Sequence, residues 1–296
     1  MTAVDDGRYL YCLVRPPADE DPGFATTGIE DEPVSVVTAG GVGAVVHACE
    51  SLYDSDDPRT IQRWLLRHQG VVDEAGEAFG TPLPFQFDTV LSGGSEALVE
   101  WLAAEADRLE SVLERLAGRW EYRIEVRHHE SARSAIAADD ERLSRLESKI
   151  DDAEAGTAYL LEQQYEKRLS DRLRTHRQQQ ARAVADRIAP HVDALESLGR
   201  RRSTGLVDLD GDTGGDTSGD TSSDTGGDTS GKDDAESIAR FAVLATDEGA
   251  AALGEELDAV AAEPGVEVRF TGPWPPYTFA PAIDSTETGG ADGTDR

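Results

Sequence analysis

The sequence predicts an α+β fold in two α/β units, residues 1–118 and 119–282, with short antiparallel strands and helices on one sheet face. Three observations carry this. Residues 119–127 alternate strictly: Trp120, Tyr122, Ile124 and Val126 fall on one face, and Arg119, Glu121, Arg123, Glu125 and Arg127 on the other. One buried and one wet face is the pattern of an antiparallel sheet. Leu98, Leu102, Leu109, Val112 and Leu116 recur at three-, four- and seven-residue steps, which lays an apolar stripe along a helix. Finally, 205–236 is a tract of Gly, Ser, Asp and Thr that interrupts the second unit.

In chain order, Arg8 to Val14 is β-rich and short enough for a buried strand. Residues 34–38 and 42–48 are two more strands, joined by a hairpin turn at Ala39-Gly40-Gly41. Asp57 before Pro58 is an N-cap followed by proline at the first helical position, so a helix is expected to about Phe79. Pro82 and Pro84 keep 81–91 extended. A helix is expected over 95–117, then the strand at 119–127, then helices over 131–150 and 156–189, the last broken at Pro190. In that last helix Leu161, Tyr165, Leu169, Leu173, Val184 and Ile188 form the apolar stripe. Asp212, Asp216, Asp220, Asp224 and Asp228 recur every four residues, each followed by threonine. No core forms from such a tract, and a flexible, self-repelling, disordered acidic linker is expected. A strand over 238–246, a helix over 247–262 and a strand at 266–271 follow, and 283–296 reads as a disordered tail.

The net charge is −31, with three lysines against twenty-five arginines. Acid excess with lysine depletion suits a salt-rich cytosol, where a Debye length of about 3 Å at 1 M screens self-repulsion. Free nucleic acid is excluded as a partner, because such a body repels phosphates. No apolar run reaches the roughly 20 residues of a membrane span, and the acidic start Met1 to Asp6 has no apolar signal region. The expected compartment is the cytoplasm.

No catalytic set is found, and no enzyme activity, cofactor or metal is expected. Gly40-Gly41-Val42-Gly43 precedes a strand rather than a helix, so it is a turn and not a phosphate loop. Asp208 to Asp212 resembles the start of a calcium loop, but glycine stands at its fourth position and Gly219 where the twelfth needs glutamate. His47 and Cys49 share a strand face, and the reading is a core cysteine beside a partly exposed histidine.

Two stretches stand out as binding surfaces. Residues 165–202 hold ten basic residues against five acids, among them Arg174, Arg177 and Arg182. This is either a salt-bridged helix face or a docking surface for an acidic partner. Thr271 to Phe279 combines Pro273, Pro275 and Pro276 with Trp274, Tyr277 and Phe279. Stiff chain with large aromatic area serves as a strap over a core, as a partner surface, or as both. Trp274 is expected to be mostly buried against the last strand, and Tyr277 more exposed.

The Gly272-Pro273-Trp274-Pro275-Pro276-Tyr277 segment resembles the C-terminal signature of the gas vesicle protein F/L family. Weaker matches run in family order: Tyr9-Leu10-Tyr11, Leu83-Pro84-Phe85-Gln86-Phe87, Trp120-Glu121-Tyr122-Arg123, and Gly156 to Leu161. At Phe85 to Asp88 the family more often has a basic residue, then Phe-Gly. The acidic bias and Asp-Thr tract resemble a haloarchaeal L-type member. The resemblance implies a modified ferredoxin-like C-terminal domain. It further implies a non-enzymatic accessory role in gas vesicle assembly, through contact with the small hydrophobic shell protein and other accessory vesicle proteins.

Overall fold

The computed structural model describes residues 3–17, 23–128, 137–199 and 236–281. The first sheet is built from β1 (Ala3–Val14), β2 (Thr26–Thr27), β3 (Pro33–Ala39), β4 (Val42–Ser51), β5 (Leu83–Pro84) and β6 (Val90–Leu91). The order is β2-β3-β4-β1, and β5 and β6 both pair with the other edge of β1. All these pairings are antiparallel. The β3–β4 hairpin turns at Gly40 and Gly41, with φ of 59° and 81°, the left-handed conformation that glycine adopts without cost.

Tyr9 through Val14 are all buried, so β1 cannot alternate between core and solvent. The pairing with β4 slips between Leu10 and Cys12. This bulge puts Tyr9, Tyr11, Cys12 and Val14 on one face, and Leu10 and Leu13 on the other. Helix α1 (Pro58–Phe79) covers the first face through Trp64, Val71, Val72 and Ala75. Helices α2 (Gly94–Ala104) and α3 (Ala106–Leu116) cover the second through Leu98, Leu102, Leu109, Val112, Leu113 and Leu116. The first sheet therefore carries helices on both faces, which corrects the one-face expectation. The cause is legible in β1, which is apolar on both sides.

Asp57 caps α1 by accepting from the Arg59 N–H at 3.1 Å, as its sequence predicts. The single helix expected over 95–117 is two helices that break at Glu105. The Gly40 turn presses on that break: a Cβ at Gly40 would lie 2.6 Å from the Cβ of Ala106.

The second sheet has β7 (Trp120–His128), β8 (Ala194–Ser197), β9 (Glu236–Ala245) and β10 (Val266–Trp274), in the order β10-β7-β9-β8. Every neighbour is antiparallel. Between β7 and β8 run α4 (Glu141–Asp151) and the 34-residue α5 (Ala155–Ile188), and α6 (Asp247–Ala261) joins β9 to β10. Tyr122, Ile124, Val126, Phe241 and Val243 pack against Val184 and Ile188 of α5 and Leu253, Leu257 and Val260 of α6. Near the other end of the chain's long helix, Tyr159 and Leu160 are exposed at 60% and 61%.

The far face of this sheet is not uniformly wet. Leu244 joins the core of the first unit, and Ala194 packs against it. Glu121, on the face expected to meet water, is only 1% exposed. The expected linker 205–236 and tail 283–296 lie outside the described residues, except that Glu236 already belongs to β9. Residues 131–136 of the expected helix over 131–150 also lie outside them.

Candidate functional site

The segment after β10 leaves its own sheet and crosses to the first unit. Gly272, at φ 135°, makes the departure possible: a Cβ there would lie 2.7 Å from the Tyr122 ring and 2.9 Å from the Glu121 carbonyl. The strap is then clasped by the buried Glu121 carboxylate. That carboxylate accepts from the Thr278 N–H at 2.7 Å, from the Thr278 hydroxyl at 2.8 Å and from Arg123 at 2.7 Å. Hydrogen bonds to a charged acceptor are the strong kind, so the clasp fixes where the aromatic residues stand.

Pro275 and Pro276 are buried, Trp274 and Tyr277 are half-buried, and Phe279 packs against the core of the first unit. The expectation that Tyr277 is the exposed, outward-facing ring is corrected here. Its hydroxyl and the Trp274 indole N–H are both buried, and neither has a partner among the described residues. Burial pushes the Tyr277 pKa well up. Straps of alternating proline and aromatic residues look alike in sequence whether they face solvent or a second domain. What decides here is that α1 stands opposite.

Between strap and α1 lies a cleft of about 490 Å³. Leu65, Leu66, Phe87, Trp274 and Pro275 give it apolar walls, and Gln69, Gln86 and Arg123 a few polar points. Leu66 on its rim is 58% exposed. The junction is closed beside it by Trp120, whose ring lies so near Gly76 that a Cβ there would be 3.0 Å away.

The basic residues of α5 are not equivalent. Arg174 pairs with Asp171 at 3.0 Å, Arg177 is half-buried with a contact of its own, and Arg182 is exposed. Arg187 bridges to Glu256 and Glu263 of and beside α6, each at 3.2 Å. Arg168 forks onto Asp140, with Nε donating to Oδ1 at 3.1 Å and Nη2 to Oδ2 at 2.9 Å. Asp140 also caps α4 by accepting from the Arg142 and Leu143 N–H groups. Burial of this carboxylate disfavours its charge, but the Arg168 fork and the two N–H groups outweigh that and hold its pKa below the usual range. The clasp ties α4 to α5 as a helical hairpin.

His47 and His68 are both buried, which corrects the partly exposed histidine expected at 47. Nε2 of His68 faces the Phe85 carbonyl at 3.2 Å and so carries the proton, leaving Nδ1 to accept from the Tyr9 hydroxyl at 2.8 Å. Tyr9 in turn accepts from the Asp88 N–H. His47 bonds the Tyr11 hydroxyl at 2.8 Å through Nδ1 and the Tyr53 hydroxyl at 2.9 Å through Nε2. Burial lowers both histidine pKa values to about 4, and burial raises the Cys12 thiol. Both ring nitrogens of each histidine have hydrogen-bond partners, and these contacts hold the α1 face of the sheet together. Among the described residues no cluster of three or more His, Cys, Asp or Glu side chains could hold a metal. No described helix is long and apolar enough to cross a membrane.

The family described as gas vesicle synthesis protein GvpL/GvpF matches residues 7–281 of the chain. The chain belongs to the GvpL/GvpF family. It is 42% identical to gas vesicle protein L2 of Halobacterium salinarum over 286 residues, 96% of this chain and 95% of that one. Gas vesicle protein L of Haloferax mediterranei is 35% identical over 309 residues, covering 95% and 89%. The crystal structure of GvpF from Anabaena sp. PCC7120 superimposes with a TM-score of 0.71 at 16% identity, covering 94% of this chain and all of that one. GvpF from Microcystis aeruginosa gives 0.61 at 18% identity, covering 93% and 99%. The mixed α+β architecture is thus that of the GvpF structures, and the segment from Gly272 to Phe279 is the strap that joins the two sheets. Sequence reasoning missed Glu121 and Thr278 as its clasp. Glu121 looked like one charge among five on a wet face, and only the crossing of the strap takes it out of water.

Proposed function

We propose that this chain is a non-enzymatic accessory protein of gas vesicle assembly, acting in the cytoplasm and at the gas vesicle. It binds the small hydrophobic shell protein and other accessory vesicle proteins during nucleation or growth. Family membership supports the gas vesicle role. The observation that carries the binding reading is the cleft between α1 and the strap, about 490 Å³ with Leu66 exposed on its rim. An apolar groove edged by a few polar groups suits an apolar segment of a partner. Shell subunits need their apolar surface shielded before they join a growing wall, and an acidic carrier stays soluble while shielding them.

Within this reading Trp274 supplies the wall of the cleft. Pro275 and Tyr277 line it beside Trp274, the buried Pro276 and the core-packed Phe279 anchor the strap, and Arg174, Arg177 and Arg182 give a second, charged surface on α5. The proposed division is into units 1–118 and 119–282. The second is a modified ferredoxin-like domain, a proposal supported by the strand order β10-β7-β9-β8 and by the two strand–helix–strand connections. The Asp-Thr tract stands in the stretch of sequence between β8 and β9.

Pull-down of individually expressed vesicle proteins in molar KCl tests the function. The parent chain is expected to retain the shell protein, and Leu66→Asp to lose at least about tenfold in affinity, or 1.4 kcal/mol, with melting unchanged. Failure of the parent to retain any vesicle protein sinks the reading. Recovery of the chain in stoichiometric amount from washed vesicles would make it a wall component instead.

A further inference from the structure

The α4–α5 hairpin contains a second concave surface, a groove of about 380 Å³ between the two helices. Its lining includes Arg142, Lys167, Arg168 and Arg172 against Asp140 and Asp171. Both acids are already engaged. Asp140 takes the Arg168 fork, and Asp171 pairs outward with Arg174. Arg172 reaches Asp140 only at 3.9 Å. Arg142, Lys167 and Arg172 are exposed, so their charge faces the groove in a chain of net charge −31.

We infer that this groove is a docking site for an acidic helical segment of another vesicle protein, with Arg142, Lys167 and Arg172 as its receptors for carboxylates. The inference rests on the proposed accessory role only in placing the partner among vesicle proteins. Charge complementarity selects the occupant, and salt selects the location. At molar salt the Debye length is about 3 Å, so charges act on a partner at contact rather than by long-range steering. Arginines in a groove still form contact-distance forks with carboxylates. Lys167 and Arg172 are five residues apart, roughly 7.5 Å along the axis, and both line the groove, so their long side chains converge on carboxylates four residues, roughly 6 Å, apart on the partner. Arg142 approaches from the opposite wall. Any partner that works in the same salt is under the same selection for surface carboxylates. The Asp140–Arg168 fork holds the two walls at a fixed separation, so little ordering is needed on binding.

The test uses the full chain in molar KCl and a helical peptide with glutamates at i and i+4, beside its glutamine counterpart. The parent is expected to bind the glutamate peptide and not the glutamine one. Replacing Arg142, Lys167 and Arg172 together by glutamine should weaken binding at least tenfold, with unchanged circular dichroism and melting. The Arg59→Gln, Arg115→Gln double variant, at exposed arginines outside the hairpin, should bind as the parent does. No binding by the parent, an unaffected triple variant, or an equal loss in the double variant overturns the groove. So does tighter binding of a single-stranded oligonucleotide than of the peptide. If the peptide binds through the groove while no vesicle protein is retained by the parent, the accessory reading falls and the groove stands.

Discussion

Tyr277 carries a buried hydroxyl with no partner among the described residues. Such a group costs about 1–3 kcal/mol, and removing it while keeping the ring leaves the packing in place. Tyr277→Phe should therefore melt at or above the parent's temperature; a clear fall would mean that the hydroxyl is bonded after all. Trp274→Ala should cost about 2–4 kcal/mol, somewhat less than for a fully buried ring. The two histidines give the same region a pH dependence. Both are held neutral in the fold, with pKa lowered to about 4 by burial, whereas the unfolded chain takes up their protons near pH 6.5. Between those values the unfolded state binds more protons. The contribution is therefore complete above pH 6.5 and is lost as pH falls towards 4. At about 1.4 kcal/mol per tenfold change in proton affinity, the pair accounts for several kcal/mol. Melting as a function of pH should be flatter for the His47→Gln, His68→Gln double variant than for the parent. Parallel curves would show that the histidines are not the titrating groups.

Elements whose local chemistry was decisive could be read without the structure. Asp57-Pro58 placed the start of α1, the alternation in Trp120 to Arg127 placed β7, and Gly40-Gly41 placed the hairpin turn. What could not be read depends on partners distant in the chain. Tyr11 bulges because β4 slips beside it, Glu121 is buried because the strap arrives 157 positions later, and α2 ends where the Gly40 turn presses on Ala106. The cleft was half legible: the strap's residues were singled out, but Leu66 was not, since nothing local marks a leucine that fails to be covered. The β8–β9 connection lends itself to an element-scale test. Leu198 donates to the Arg240 carbonyl at 2.8 Å, so the chain is already brought back beside itself at that point. The tract between the described ends offers few apolar side chains, and loop closure costs only about 0.6 kcal/mol per doubling of length. Replacing 205–235 by a short Gly/Ser turn should leave the melting midpoint nearly unchanged. A cooperative loss of β8–β9 protection in hydrogen exchange would show that the tract packs on the fold.

For the whole molecule the dominant electrostatic fact is the charge of −31. The ion pairs seen are mostly partly exposed arginine–carboxylate contacts, such as Arg67–Glu74 at 3.1 Å and Arg145–Glu141 at 2.8 Å. Pairs of that kind are worth only about 0–1 kcal/mol each and weaken with salt. Self-repulsion among the surplus carboxylates also weakens with salt, and it acts over every unpaired acid at once. Raising KCl from about 0.1 M to about 3 M shrinks the Debye length from roughly 10 Å to below 3 Å. Long-range repulsion then vanishes, while contact pairs such as Arg123–Glu121, whose carboxylate is buried, are screened least. The balance favours the folded state at high salt. If the relief is about 3–5 kcal/mol, the midpoint rises by roughly 10 °C at 2–4 °C per kcal/mol for a chain of this size. Replacing Asp212, Asp216, Asp220, Asp224 and Asp228 by asparagine should lessen that rise, because it removes five charges from the repelling set. Equal midpoints at the two salt concentrations would mean that the acid excess is tolerated rather than used. The contact pairs would then carry more of the stability than their exposure suggests.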